Sequence, residues 1–177
     1  MTNFINFITI VRILLAPIIL LLLIFGNYLV CTILFFVAGL SDYFDGYLAR
    51  KYNAESQIGE ILDPIADKIL IVFLLIGLSV ELNSFLVAFL SSIIIAREIG
   101  IAALRDYSSR LNISDKTKVT YLAKIKTSLQ LFSIGSYLFA LTISFNFLIL
   151  ISDIFLIIAT LITIYTAYEY TLNVFEK

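Results

Sequence analysis

Six apolar runs, each close in length to the thickness of a bilayer's hydrocarbon core, make up most of this chain: about 7–25, 28–50, 58–79, 82–104, 119–141 and 146–168. A helix crosses that core in roughly 20 residues. In lipid every backbone N–H and C=O must find its partner within the segment, which a helix provides and an open strand does not. Short turns stand at Gly26-Asn27, Leu82-Asn83-Ser84 and Ser144-Phe145-Asn146, and the longer breaks are 51–57 and 106–118. Of the 177 residues 61% are apolar and 14% charged, against roughly 45–50% and about 25% for a soluble domain. The expected fold is all-α: an integral membrane bundle of six transmembrane helices forming a single domain over residues 1–177.

An even number of spans puts both termini on one side. The turns near 26, 82 and 145 hold no Lys or Arg, so all 12 basic residues fall on the other side or within reach of it. By the positive-inside rule that side, with both termini, is cytoplasmic. The first 30 residues do not read as a cleavable signal, because they lack a basic start and Arg12 interrupts a run too long for one. A bacterial cytoplasmic membrane is the expected location. Composition narrows the chemistry as well. The chain has no histidine and a single cysteine, Cys31, which excludes a His base, a Ser-His triad, a Cys-His zinc site and an internal disulfide. Cys31 reads as a buried packing residue, and the Tyr and Phe content as mostly lipid-facing or interfacial. A net charge of −1 argues against nucleic acid as the main partner. Any chemistry must come from carboxylates, Arg, Lys and hydroxyls.

Four carboxylates stand where a membrane helix should have none. Asp42 and Asp45 are three apart on the second run, and Asp63 and Asp67 four apart on the third, so each pair projects from one helix face. Antiparallel packing of these two helices would point all four at one another. Like charges that close oppose each other's ionisation, and acids within a membrane cost several kcal/mol each. Asp42 and Asp45 also lie toward the C-terminal end of their helix, where the dipole disfavours anions. Between Asp42 and Asp67 six acids face two bases. The missing component is a cation, and oxygen donors without His or Cys select a hard ion, Mg²⁺ or Mn²⁺. Four acids have room for two ions bridging phosphate oxygens. Gly46, Ala49 and Gly59 lie among the acids, where small residues either admit a ligand against the backbone or simply let helices pack closely.

Written out, the stretch is Asp42-x2-Asp45-Gly46-x2-Ala49-Arg50-x8-Gly59-x3-Asp63-x3-Asp67. All eight fixed positions and every spacing resemble the signature of the CDP-alcohol phosphotransferases, membrane enzymes that make phospholipids, and the resemblance covers nearly the whole chain. It implies that Asp42, Asp45 and Asp63 ligate divalent metals with Asp67 beside them, and that Asp67 takes the proton from the acceptor hydroxyl. It further implies that Gly46 and Ala49 make space for the cytidine nucleotide of CDP-diacylglycerol, that Arg50 holds the diphosphate, and that Gly59 permits close approach. A homodimer is implied in the same way. The physics agrees, since metals and a guanidinium are the partners a diphosphate needs as charge shifts to departing CMP. Direct attack by the acceptor and a covalent intermediate both remain open.

Within that family the chain most resembles the branch whose acceptor is glycerol 3-phosphate, yielding phosphatidylglycerophosphate. The resemblance rests on Leu62-Asp63-Pro64-Ile65-Ala66-Asp67-Lys68, Arg97-Glu98-Ile99 followed by Leu104-Arg105, Lys124-Ile125-Lys126-Thr127 and the opening Asn6-Phe7-Ile8-Thr9-Ile10-Val11-Arg12. It departs at Ile5, where that branch has Pro, and at Ala123, where it has Gly. From Arg97 to Lys126 seven bases face three acids, so Arg97, Arg105, Lys124 and Lys126 are expected to bind the acceptor's phosphate. Thr9 and Arg12, three apart on the first helix, are expected to line the same cavity. Arg110, Lys116 and Lys118 read as contacts to anionic lipid headgroups. Alternatives are the same chemistry on serine, inositol phosphate or phosphatidylglycerol and, more remotely, a cation transporter, which the scarcity of polar residues in the far half of the bundle disfavours.

Overall fold

The computed structural model describes the backbone of residues 2–52, 57–111 and 121–175, and the side chains of 7–41, 59, 62–111 and 121–175. Among the described residues the structure is entirely helical: α1 (Thr2–Ile24), α2 (Tyr28–Tyr52), α3 (Gln57–Glu81), α4 (Phe85–Arg110), α5 (Tyr121–Ile143) and α6 (Asn146–Phe175). Among the described residues three helices are long and apolar enough to cross a membrane, with spans at Phe7–Ile24, Phe85–Arg110 and Asn146–Phe175, and the apolar stretch of α2, Tyr28–Ser41, is shorter.

Each apolar run forms the core of one helix, but helix ends and run ends differ. Leu82 and Asn83 belong to the turn rather than to α4: Asn83 has φ 45°, and Ser84 caps the helix by accepting the Val87 N–H. At its other end α4 continues past residue 104 to Arg110, where an Asp106–Arg110 pair one turn apart bridges at 2.8 Å. α6 likewise runs on to Phe175, past the expected end at 168. Hydropathy reports where apolar surface stops, and a helix continues into water wherever its residues still favour it.

The helices close a ring in the order α1, α3, α4, α6, α5, α2, and α3 also meets α5 across it. Among the described residues α2 packs on α1 and α5, not flat against α3. α1 lies between them because α3 receives it closely at Gly77, where even a Cβ would come within 2.7 Å of Leu20 Cδ1 and 2.8 Å of Leu23 Cδ2. The core repeats at helical spacing: Ala16, Ile19 and Leu23 on α1, Cys31, Phe35 and Ala38 on α2, and Leu70, Ile71, Leu74, Leu75 and Leu78 on α3. Cys31 is buried and free. The outward faces are apolar too, with Phe7, Leu14, Leu29, Phe36, Phe89, Leu161 and Ile164 exposed, as in a bundle surrounded by lipid rather than water.

α5 and α6 are joined differently, through a polar seam. Ser133 Oγ donates to the Ser152 carbonyl at 2.9 Å, Ser152 Oγ to Ser136 Oγ at 2.8 Å and Gln130 Nε2 to Thr163 Oγ1 at 3.2 Å. The α5–α6 contact is therefore more polar than its hydropathy suggests, running from Gln130 at the cavity into the far half of the bundle, where Ser133, Ser136 and Ser152 bond across the two helices. Tyr137 is buried against this seam and hydrogen-bonds Asp153, so it is not one of the lipid-facing aromatics.

The Gly77 contact yields a packing prediction. Gly77→Val should destabilise the protein by about 1–3 kcal/mol through overpacking, lowering the thermal midpoint in detergent. Gly39→Val, at a helical position with nothing within 4 Å of an added Cβ, serves as the matched control. Equal midpoints for the two variants would contradict the close α1–α3 approach.

Candidate active site

α1 and α3 are pinned by two polar contacts near their N-terminal ends. Thr9 Oγ1 donates to Asp63 Oδ1 at 2.9 Å, and Arg12 Nη1 donates to Asp67 Oδ1 at 2.8 Å. The helical repeat explains why both contacts form together. Residues three apart on α1 and four apart on α3 each fall one turn apart on one face. The Arg12 side chain is 1% exposed, whereas that of Asp67 is 49% exposed. The guanidinium thus backs the carboxylate from inside the bundle and leaves it facing outward. Thr9 is fully buried.

Asp67 opens onto a cavity of about 190 Å³ between α3, α4 and α5, lined also by Lys68, Arg97, Glu98, Arg105 and Lys126. Four cations there face two carboxylates, so the cavity carries a positive balance suited to a dianion. Glu98 accepts hydrogen bonds from Arg97 Nη1 at 3.2 Å and from Lys126 Nζ. All three of these side chains are largely buried, which makes Glu98 the shared counter-ion of two desolvated cations. The outer sides of the arginines are held by α6: Arg97 Nη2 donates to Thr166 Oγ1 at 2.9 Å, and Arg105 Nη2 to Tyr170 Oη at 3.3 Å.

The sequence-derived site divides into three groups. Arg97, Arg105 and Lys126 come together in the cavity with Asp67. Thr9, Arg12 and Lys124 do not line it. The first two stand behind Asp63 and Asp67, and Lys124 is exposed on α5. Lys124 and Lys126 are two residues apart, about 200° around a helix, so only one of them can face the cavity. Gly59 is buried on α3. The side chains of Asn6, Asp42, Asp45, Gly46, Ala49 and Arg50 lie outside the described residues, although their backbone belongs to α1 and α2, and Lys116 and Lys118 fall outside altogether. Among the described residues no group of three or more acids forms a metal cluster.

The family model for CDP-alcohol phosphatidyltransferase matches residues 2–165. The chain belongs to that family. Three curated relatives bear the name CDP-diacylglycerol–glycerol-3-phosphate 3-phosphatidyltransferase. The one from Rickettsia typhi is 37% identical over 174 residues, covering 96% of each chain. The one from Haemophilus influenzae is 34% identical over 167 residues, 93% of this chain and 89% of its own. The one from Wigglesworthia glossinidia brevipalpis is 42% identical over 106 residues, 60% of this chain and 58% of its own.

Glu98, Thr166 and Tyr170, which hold the cavity's cations, and Lys68, Thr127 and Gln130, which line it, are residues to which the sequence assigns no role. Glu98 had a signal, an acid in an apolar helix next to an arginine. Thr166 and Tyr170 had none, since a Thr and a Tyr at a helix's polar end look like interfacial residues. Glu98→Gln leaves Arg97 and Lys126 buried without their common carboxylate. Breaking a buried ion pair costs about 3–5 kcal/mol, so the detergent thermal midpoint should fall sharply, with Glu98→Asp intermediate. A midpoint unchanged in Glu98→Gln would show that Glu98 does not neutralise the pair.

Proposed function

We propose that this chain is an integral membrane enzyme that transfers the phosphatidyl group from CDP-diacylglycerol to sn-glycerol 3-phosphate, releasing CMP and forming phosphatidylglycerophosphate. The observation that carries the reading is the shared cavity, in which Asp67 faces Arg97, Arg105 and Lys126. An acceptor bound there has its phosphate against the cations and its hydroxyl toward a carboxylate. Two relatives that bear the name of this reaction align over most of the chain. The positive balance favours a phosphorylated acceptor over serine. In the same reading the single domain spans the bacterial cytoplasmic membrane six times, with both termini and the cavity on the cytoplasmic side, and works as a homodimer.

Asp67 takes the proton of the acceptor hydroxyl as its oxygen bonds the phosphorus that carries diacylglycerol and the bond from that phosphorus to CMP breaks. Direct attack requires no further nucleophile. Arg12 orients Asp67, and Thr9 orients Asp63. Gly46, Ala49 and Gly59 leave space for the nucleotide, and Arg50 meets the diphosphate. Asp63 and Asp67 offer only hard oxygen donors, and Asp67 is half open to solvent, which fits a divalent ion. Asp42, Asp45, Asp63 and Asp67 are the residues that would hold two Mg²⁺ or Mn²⁺ ions. Such ions, when bound, would neutralise the diphosphate and the charge developing on CMP. The cation-transporter reading loses ground because the α5–α6 polar seam is internally hydrogen-bonded.

CMP release by the purified protein with CDP-diacylglycerol and Mg²⁺ tests the reading, with glycerol 3-phosphate compared against serine, inositol phosphate and phosphatidylglycerol. Release is expected only with glycerol 3-phosphate, and EDTA should abolish it. Asp67→Asn should lower turnover by about 10²–10⁴-fold while CDP-diacylglycerol binding persists. Undiminished turnover in Asp67→Asn would remove its role as base, and release with another alcohol would overturn the acceptor.

A further inference from the structure

The last three turns of α6 hold the cavity's arginines without lining the cavity themselves. Tyr170 is 2% exposed. Its ring carries Arg105 Cζ at 5.5 Å and Arg97 Cζ at 5.9 Å from the centroid. Its hydroxyl accepts from Arg105, and the hydroxyl of Thr166, one turn earlier on the same helix face, accepts from Arg97. Two guanidinium groups drawn to one ring repel each other, and the π-face offsets that repulsion by attracting both. Each hydroxyl fixes one Nη2 and so sets the plane of its guanidinium. Arg97 Nε and Arg105 Nε are buried with no hydrogen-bond partner.

Neither Thr166 nor Tyr170 lines the cavity, whereas both arginines they hold do. We propose that Thr166 and Tyr170 are positioning residues that aim Arg97 and Arg105 at the acceptor's phosphate. The end of α6 then determines acceptor affinity rather than the transfer chemistry. This inference rests on the glycerol 3-phosphate reading above.

Steady-state CMP release by the full chain tests it, measured for Tyr170→Phe, Tyr170→Leu and Thr166→Val with each substrate varied in turn. Tyr170→Phe and Thr166→Val each remove one hydroxyl and should raise KM for glycerol 3-phosphate about 3–10-fold. Tyr170→Leu also removes the ring and should raise it further, about 10–100-fold. In all three, kcat and KM for CDP-diacylglycerol should stay within about twofold, a split that general loosening of the fold would not produce. If Tyr170→Leu does not fold, the two milder variants decide the question alone. An unchanged KM for glycerol 3-phosphate in both of them overturns the proposal, as does a loss in kcat with no change in that KM. A wild-type protein that releases no CMP with glycerol 3-phosphate overturns the underlying reading, and this one with it.

Discussion

The ion pair between Arg12 and Asp67 is the contact on which the rest of the site depends. A carboxylate inside a membrane bundle is costly unless something compensates it, and here the compensation comes from the neighbouring helix at 2.8 Å. The same register brings Thr9 onto Asp63. Gly77 permits the approach farther along the same pair of helices, so packing and electrostatics specify one α1–α3 geometry. With Arg12 buried behind it, Asp67 faces outward into the cavity instead of turning back into the core.

From that fixed wall the remaining helices add charge of the opposite sign. α4 contributes Arg97 and Arg105, α5 contributes Lys126, and Glu98 keeps two of these cations from being buried alone. The outcome is a small polar chamber at one end of the bundle, with Asp67 on one side and the cations, with Glu98 among them, on the other. On the proposed function, a phosphorylated alcohol bound between them has its hydroxyl brought to Asp67 by position alone, and holding reactants in place is a large part of how phosphoryl transfer is catalysed.

Much of this was legible in the sequence. Apolar runs marked all six helices because backbone satisfaction in lipid leaves little alternative. The spacing of Asp63 and Asp67 marked a shared face, and the charge balance from Arg97 to Lys126 marked a cationic region. Neighbour relations were less legible. That α1 packs closely on α3 depends on the ring order, which hydropathy does not encode, and so Thr9 and Arg12 read as cavity lining although they stand behind the carboxylates. Lys124 and Lys126 could have been separated by helical periodicity alone. Thr166 and Tyr170 could not, because nothing local distinguishes a tyrosine bracing two arginines from one at a lipid interface.

An experimental structure of the protein with glycerol 3-phosphate bound tests the central claim most directly. The expected result places the phosphate among Arg97, Arg105 and Lys126, with the reacting hydroxyl directed at Asp67 and Arg12 still paired behind it. A phosphate seated away from these cations, or an Asp67 beyond reach of the hydroxyl, would contradict the assignment of the cavity as the acceptor site.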